Sequence, residues 1–478
     1  MLKPPESVDR LDLIVVGGGA AGLVTAAGSA GIGARVALVE RERLGGECLW
    51  TGCVPSKALL ACAKAAAHAR GAARFGVNTT VSVDFEAAMR WVHAARANVY
   101  PHDSPDRFRG MGVEVIMGAA RFTGPLTLQV GERTLTAPRI VIATGSRPAI
   151  PPIPGLDSVP YFTNESIFEN LERPAHLVIL GAGAVGVELA QAFVRLGSRV
   201  TVLERSAEFL EREEPELASQ LRACLVADGV DLRLDTTVTG ARIVNGDIGL
   251  SWTSSIGSGE IVGTHLLVAT GREARADTMD LEAGGVAATG AGVTVDANLR
   301  TTAPGVWACG DCIAGAPRLT HVADHQARLV IRNAFFPLKG TIDYSAIPWV
   351  TYTDPELAHV GLTEREARLE HGAEVRTFVR PFDDVDRAIA EGETAGMVKL
   401  VTTQRGRIIG GHVLGAGAGD MIGEIALAVA QKLSVSALAG LVHAYPTMPE
   451  AIRQAAEGYN KARFTGPVRS IARWFARR

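Results

Sequence analysis

A chain of 478 residues is long enough for about three domains and a full hydrophobic core. Its net charge of −3 carries no basic excess of the kind that binds nucleic acid, and its longest apolar runs are strand-sized, too short for a membrane-spanning helix. Six cysteines over this length do not make a disulfide framework, so a reducing cytoplasm is the expected compartment.

Met1 to Arg10 is short, polar and proline-containing, and does not read as a signal peptide. Leu11 to Val16 then reads as a buried strand feeding Gly17-Gly18-Gly19-Ala20-Ala21-Gly22, a G-x-G-x-x-G on Gly17, Gly19 and Gly22. An Ala-rich helical pattern follows to about Gly31, and Arg35 to Glu40 reads as a second strand ending in an acid. Strand, glycine turn, helix, strand and acid are the parts of a dinucleotide-binding βαβ unit. The pyrophosphate rests on the helix N-terminus and Glu40 takes a ribose hydroxyl.

Directly after that acid comes Gly45-Gly46-Glu47-Cys48-Leu49-Trp50-Thr51-Gly52-Cys53-Val54-Pro55-Ser56-Lys57. An i,i+5 pair in a regular helix is separated by about 7.5 Å of rise. A disulfide wants its Cα atoms roughly 4.4–6.8 Å apart. If Cys48 and Cys53 are bonded, the backbone between them is therefore not an ordinary helix. Gly52 gives room to distort, and Pro55 fits a helix's first turn. Such a bond would be strained and easily reduced, as in a working redox pair, and a helix N-terminus would lower a nearby thiol's pKa. The spacing alone also allows two buried cysteines in a loop.

The order of these motifs resembles the FAD-dependent pyridine nucleotide–disulfide oxidoreductases, the family of dihydrolipoyl dehydrogenase, glutathione reductase and mercuric reductase. The resemblance runs over essentially the whole chain. It implies that Cys48 and Cys53 form a redox-active disulfide, with Cys53 against the flavin and Cys48 facing the substrate. It implies that Lys57 sits near the flavin N5. Cys62 has no motif partner and is expected in the core.

Ala58 to Arg70 and Phe85 to Tyr100 carry helical patterns, broken by Pro101 to Pro105. Gly112 to Ile116 reads as strand. Ile140 to Pro148, with Gly145 in its Ala-Thr-Gly turn, resembles the segment that closes the first part of the family's FAD domain. His176 to Leu180 opens a second βαβ unit with Gly181, Gly183 and Gly186 and a second acid, Glu204. Two such units imply two dinucleotides, and a flavin's natural electron source is a nicotinamide cofactor. Glu204 favours NAD by accepting from a ribose 2′-hydroxyl, while Arg205 leaves NADP open. Glu188, just inside the second helix, is by resemblance the ion-pair partner of Lys57; as an isolated feature it is a carboxylate favoured by the helix dipole. A second Ala-Thr-Gly turn holds Gly271.

Thr301 to Asp311 resembles the family's second FAD motif, with Asp311 on the ribityl chain and Ala323 in the helix aimed at the isoalloxazine. Cys309-Gly310-Asp311-Cys312 also reads as Cys-x-x-Cys, but the Gly-Asp accounts for the segment and no second ligand pair lies nearby in sequence, so no metal is expected. Tyr344 onward resembles a dimerisation domain. There the family carries a histidine before Pro-Thr, oriented by a glutamate five residues on, that protonates the leaving thiol across the dimer. Here that position is Tyr445, with Glu450 kept and His443 two residues early. A tyrosine of reference pKa about 10 is a poorer proton shuttle at neutral pH than a histidine of about 6.5.

The expected fold is α/β: two Rossmann-like dinucleotide-binding domains, for FAD and NAD(P), and a C-terminal α+β dimerisation domain. The expected boundaries are 1–152 and 276–344 for the FAD-binding domain, 153–275 for the NAD(P)-binding domain and 345–465 for dimerisation. Residues 466–478 form a basic amphipathic tail, Val468 to Arg478, with Ile471, Trp474 and Phe475 among Arg469, Arg473 and Arg477. Its apolar residues are expected to dock on the body rather than on an anionic membrane surface. The expected protein is a homodimeric enzyme, with a small-molecule or thiol-bound acceptor. The Tyr-Pro-Thr pattern resembles mercuric reductases and soluble transhydrogenases, but no cysteine follows Cys312 to deliver Hg(II). The alternatives are a dihydrolipoyl dehydrogenase-type disulfide reductase, a diaphorase or transhydrogenase-type carrier, and a low-turnover redox sensor.

Overall fold

Two parallel sheets and one large antiparallel sheet organise the chain. The computed structural model describes residues 11–463 and 473–477. The first sheet runs in the order Val306–Ala308, Ile140–Ile142, Leu13–Val16, Val36–Glu40, Glu114–Met117, with every pairing parallel. Its central strand is buried along its length, which is why it reads as an unbroken apolar run rather than an alternation. Its strand Val306–Ala308 enters from beyond the second parallel sheet, so the chain leaves this sheet and returns to it.

The second sheet runs Asp231–Arg233, Arg199–Leu203, His176–Leu180, His265–Val268, again all parallel. A short antiparallel pairing of Ser146–Pro148 with Arg272–Ala274 ties the ends of the two units together. Three-stranded antiparallel sheets cover each unit, one of Ala120–Gly124, Thr127–Val130 and Arg133–Thr136, the other of Thr237–Val244, Asp247–Ser254 and Gly257–Gly263. The third large sheet is antiparallel, in the order Pro348–Thr351, Glu356–Gly361, Ile408–Gly415, Met397–Thr402, Arg376–Pro381. Helices Ala418–Ala430 and Glu450–Arg463 accompany it, and residues from both join its core.

A buried polar cluster joins this sheet to the second unit. Glu213 accepts from Trp349 Nε1 at 2.7 Å, and its other oxygen lies 3.7 Å from His359 Nδ1. His359 stacks on Trp349 and meets His412 edge-on. Lys399 Nζ reaches Glu214 at 2.9 Å and Glu364 at 2.8 Å. Burial pushes Glu213 up to about 7 and holds His412 and His359 down at about 3, the neighbouring His412 adding to the effect on His359.

Cys309 and Cys312 are fully buried in the first core, and the Cys312 thiol bonds to the carbonyls of Ile142 and Cys309. Cys62 is half-buried and packs against the second core. No helix among the described residues is long and apolar enough to cross a membrane. Met1 to Arg10, and Val468, Arg469, Ile471 and Arg478 of the tail, lie outside the described residues. Arg473 to Ala476 is helical, with Trp474 and Phe475 exposed by 50% and 66% and their rings packed on each other at 4.9 Å. The two rings meet edge to face, and the other tail residues on which the expected docking turns lie outside the described residues.

Candidate active site

Gly45 and Gly46 turn the chain with φ of +101° and +55°, a region that glycine enters without steric penalty. The turn lies so close to the first glycine loop that a Cβ on Gly46 would stand 2.5 Å from Gly19 Cα. A short helix, Gly46–Trp50, carries Cys48. Thr51 and Gly52 interrupt it, and Cys53 opens the long helix Cys53–Gly71. The helix is broken between the two cysteines, as it would have to be for them to form a disulfide.

Both cysteines are free thiols here. Cys53 is drawn down to about 6, first by the hydrogen bond from Cys48, then by Thr320 and the Lys57 ammonium, against the opposing effect of burial. Cys48 is pushed far up, because its proton is held in that bond and the site is buried. The two thiols are therefore shifted in opposite directions, Cys53 toward the thiolate and Cys48 toward the thiol. Cys53 Sγ lies 3.2 Å from Thr320 Oγ1, the first residue of helix Thr320–Phe335. Ala323 is buried one turn into that helix.

Lys57 Nζ meets Glu188 Oε2 at 2.9 Å across the boundary between the first two units. Glu188 Oε1 accepts the Tyr352 backbone N–H at 2.8 Å, and the Tyr352 ring lies under the ammonium, 4.3 Å from it.

The two glycine loops are built alike. Glu40 Oε2 accepts from Gly18 N at 2.6 Å and Oε1 from Glu42 N at 2.7 Å. Glu204 Oε2 accepts from Ala182 N at 2.7 Å and Oε1 from Ser206 N at 2.8 Å. A carboxylate has about four acceptor sites, so each acid keeps capacity for a ribose hydroxyl. Gly17 has φ +111° and Gly181 φ +101°, and a Cβ on either would strike the carbonyl of Ala143 or Ala269. No side chain caps helix Ala20–Gly31 or helix Ala184–Arg195, so their first N–H groups remain open to an anion. Gly145, Gly183 and Gly271 face open space where a Cβ would stand.

Asp311 Oδ2 accepts from Ser146 Oγ at 2.6 Å, and Ser146 accepts from Arg272 Nε at 2.9 Å. Arg272 continues to Glu47 and to Asn164, tying the redox stretch to the Asp311 loop. Burial raises Glu47 to about 7, although Arg272 opposes it.

Tyr445 is 69% exposed and donates to Asp386 Oδ2 at 2.7 Å, while Glu450 pairs with Arg453 at 2.8 Å. Within the chain, then, Glu450 is turned to its own helix and Asp386 holds the tyrosine. His443 instead stands 3.0 Å from Glu424 through Nε2, with its side chain 8% exposed.

The structure brings Cys48, Cys53, Lys57 and Glu188 into one cluster with Thr320 and Tyr352, neither of which the motifs assigned a role. Their only sequence signal is position, Thr320 at a helix start and Tyr352 at a strand end. Tyr445, Glu450 and His443 belong to the C-terminal unit and make their contacts there.

The family model described as pyridine nucleotide-disulphide oxidoreductase matches residues 11–327, and that of its dimerisation domain matches residues 347–456. A mercuric reductase of Streptomyces lividans is 37% identical over 94% of this chain and 96% of its own length. A dihydrolipoyl dehydrogenase of Thermus scotoductus is 35% identical over 94% and 97%. The HOCl-induced flavoprotein disulfide reductase of Escherichia coli, in its Cu(II) complex, superimposes with a TM-score of 0.84 at 27% identity, covering 94% of this chain and 99% of that one. FAD and NAD(P)H are the cofactors of such enzymes, and the two uncapped helix starts with their paired acids fit two dinucleotides. The chain belongs to the pyridine nucleotide-disulphide oxidoreductases.

Proposed function

We propose that this protein passes electrons from NADH to the Cys48–Cys53 pair and from there to a thiol-reactive acceptor, Hg(II) or a disulfide. The observation that carries this reading is geometric: Cys53 opens helix Cys53–Gly71 with its sulfur 3.2 Å from Thr320 Oγ1, Cys48 sits on the short helix just before it, and the Lys57–Glu188 ion pair stands one turn further along. Bound FAD supplies two-electron transfer between a nicotinamide and a sulfur pair. The chain's own residues do the rest. The helix starts at Gly19 and Gly183 bind pyrophosphate, Glu40 and Glu204 bind ribose, and Asp311 takes the ribityl chain. Lys57, held by Glu188, keeps a positive charge beside Cys53. Cys48 retains its proton until the acceptor arrives, and two soft sulfurs suit a soft cation. Glu204 favours NADH over NADPH, because a 2′-phosphate would meet its carboxylate.

The matched dimerisation domain supports a homodimer in which Tyr445 and Glu450 face the partner's cysteine pair. The domain boundaries expected from sequence, and a cytoplasmic location, belong to the same reading. A second reading, a disulfide reductase of the dihydrolipoyl dehydrogenase type, is favoured by the His443–Glu424 pair, an imidazole already oriented by a carboxylate.

The test is an acceptor panel under steady-state NADH: Hg(II) with excess thiol, lipoamide, glutathione disulfide and a quinone. Wild type runs beside Cys48→Ser, Tyr445→His and His443→Ala. Turnover of Hg(II) that is lost in Cys48→Ser supports the mercuric reading. Turnover of lipoamide that is lost in His443→Ala supports the second. Quinone reduction alone, indifferent to Cys48, would reject both and leave a diaphorase.

A further inference from the structure

Tyr352 follows strand Pro348–Thr351 of the C-terminal sheet, yet it touches both members of the Lys57–Glu188 pair. Its backbone is fixed independently of its ring. Glu188, Gln191 and Arg195 lie on one face of helix Ala184–Arg195, at i, i+3 and i+7. Glu188 Oε1 takes the Tyr352 N–H, Gln191 Oε1 takes the Asp354 N–H at 2.7 Å, and Arg195 Nη1 donates to the Asp354 carboxylate at 2.7 Å. Residues 352–354 are thus pinned along that helix stripe, and the ring is carried to Lys57 as a consequence.

Lys57 needs such a boundary. Its side chain is 38% exposed, whereas that of Glu188 is only 6% exposed. A lysine on a flexible four-carbon stem, tethered by one carboxylate, has solvent directions open to it. The π face of Tyr352 occupies one side of the ammonium at 4.3 Å and attracts it there. Coulomb interaction falls with distance, so the hold that Lys57 exerts on Cys53 depends on this confinement.

We propose that Tyr352 is a positioning residue for Lys57: its ring confines the ammonium beside Glu188 and one helical turn from Cys53, so that the C-terminal unit sets where that positive charge stands relative to the sulfur. The proposal rests on the reading of Lys57 and Glu188 as the charged pair beside the flavin. The ring acts through its face, so the phenol hydroxyl is dispensable. Burial raises that hydroxyl's pKa and keeps it neutral.

The experiment is the pH profile of iodoacetamide alkylation at Cys53 in FAD-loaded protein, on a Cys48→Ser background, read by mass spectrometry. Tyr352→Leu keeps the backbone contacts and removes the ring. It is expected to move the midpoint upward and to slow alkylation on the acid side by about threefold to thirtyfold. Tyr352→Phe is expected to keep the parent profile. If Tyr352→Leu does not retain FAD, Tyr352→Met fills similar space without a π face and carries the same expectation. In a Lys57→Met background the leucine substitution is expected to add no further shift. Superimposable profiles for leucine and parent, a phenylalanine variant that behaves as leucine does, or full additivity with Lys57→Met would each overturn the proposal. Failure of the acceptor panel would reject the proposed function and leave this thiol profile untouched, so the two failures are separable.

Discussion

Cys53 Sγ stands 3.2 Å from Thr320 Oγ1, so two helix N-termini, from Cys53–Gly71 and Thr320–Phe335, converge on one sulfur. Both dipoles and the threonine hydroxyl favour the thiolate. Thr320→Val removes the hydroxyl donor with little change of shape. Because a donor to the charged form lowers the pKa, its loss is expected to raise the Cys53 midpoint by about one unit or more. Alkylation rate against pH, on the Cys48→Ser background, measures the shift directly.

The Lys57–Glu188 pair makes a stability prediction with an asymmetric sign. Lys57→Met leaves a carboxylate of 6% side-chain exposure without its cation. An unsatisfied buried group of this kind costs about 1–3 kcal/mol. Glu188→Gln keeps an acceptor for the Tyr352 N–H and leaves its partner lysine free to reach water, so it is expected to cost less. Thermal unfolding of the two variants, compared at equal protein and FAD concentration, checks the order.

The buried His359–His412–Glu213 cluster makes stability pH-dependent. Each histidine is held below its ordinary value, so between pH 6.5 and about 3 the unfolded chain binds protons that the folded chain does not, and stability falls as pH falls. Glu213 is raised to about 7, so between pH 4.5 and 7 the folded chain holds the extra proton, and stability falls as pH rises. From 4.5 to 6.5 the two histidines outweigh Glu213 within this cluster, a gain with pH on the order of 1 kcal/mol per unit that Glu47, likewise raised to about 7, opposes with a loss of similar size. His412→Gln, which can still donate to the Leu362 carbonyl, is expected to remove one histidine's share and so tilt the slope toward lower stability at the higher pH by about 1.4 kcal/mol per unit relative to wild type. Denaturant unfolding at a series of pH values, followed by the fluorescence of Trp349 stacked on His359, reads it out.

The twin glycine loops separate the two cofactor sites. A Cβ on Gly22 would overlap the Gly17 carbonyl oxygen, and one on Gly186 would overlap that of Gly181. Gly22→Ala is expected to yield protein with little bound flavin. Gly186→Ala is expected to keep its flavin and lose affinity for NADH. Flavin absorbance per mole of protein and NADH titration distinguish them. Equal flavin loss in both variants would contradict the assignment of the first loop to FAD and the second to the nicotinamide cofactor.

Much of this molecule was legible from the sequence, and for a local reason. Strand, glycine turn, helix and acid interact within about twenty-five residues, so Gly17 to Glu40 and Gly181 to Glu204 carry their own geometry. The rise of a helix and the reach of a disulfide implied a break between Cys48 and Cys53 if the two are to bond. The buried runs Leu13–Val16 and His176–Leu180 announced parallel sheets, because strands covered on both faces cannot alternate. What local pattern left open was which distant residue stands against each reactive atom. Thr320 reaches Cys53 from 267 positions away, and Tyr352 reaches Glu188 across 164. The hydrogen bonds of Tyr445 to Asp386 and of Glu450 to Arg453 depend on how the C-terminal sheet and its helices pack. The sequence determined the elements and the chemical groups they carry. Tertiary packing alone decided the charges and ring faces around the sulfurs, because thiol acidity depends on distances and burial that no linear spacing contains.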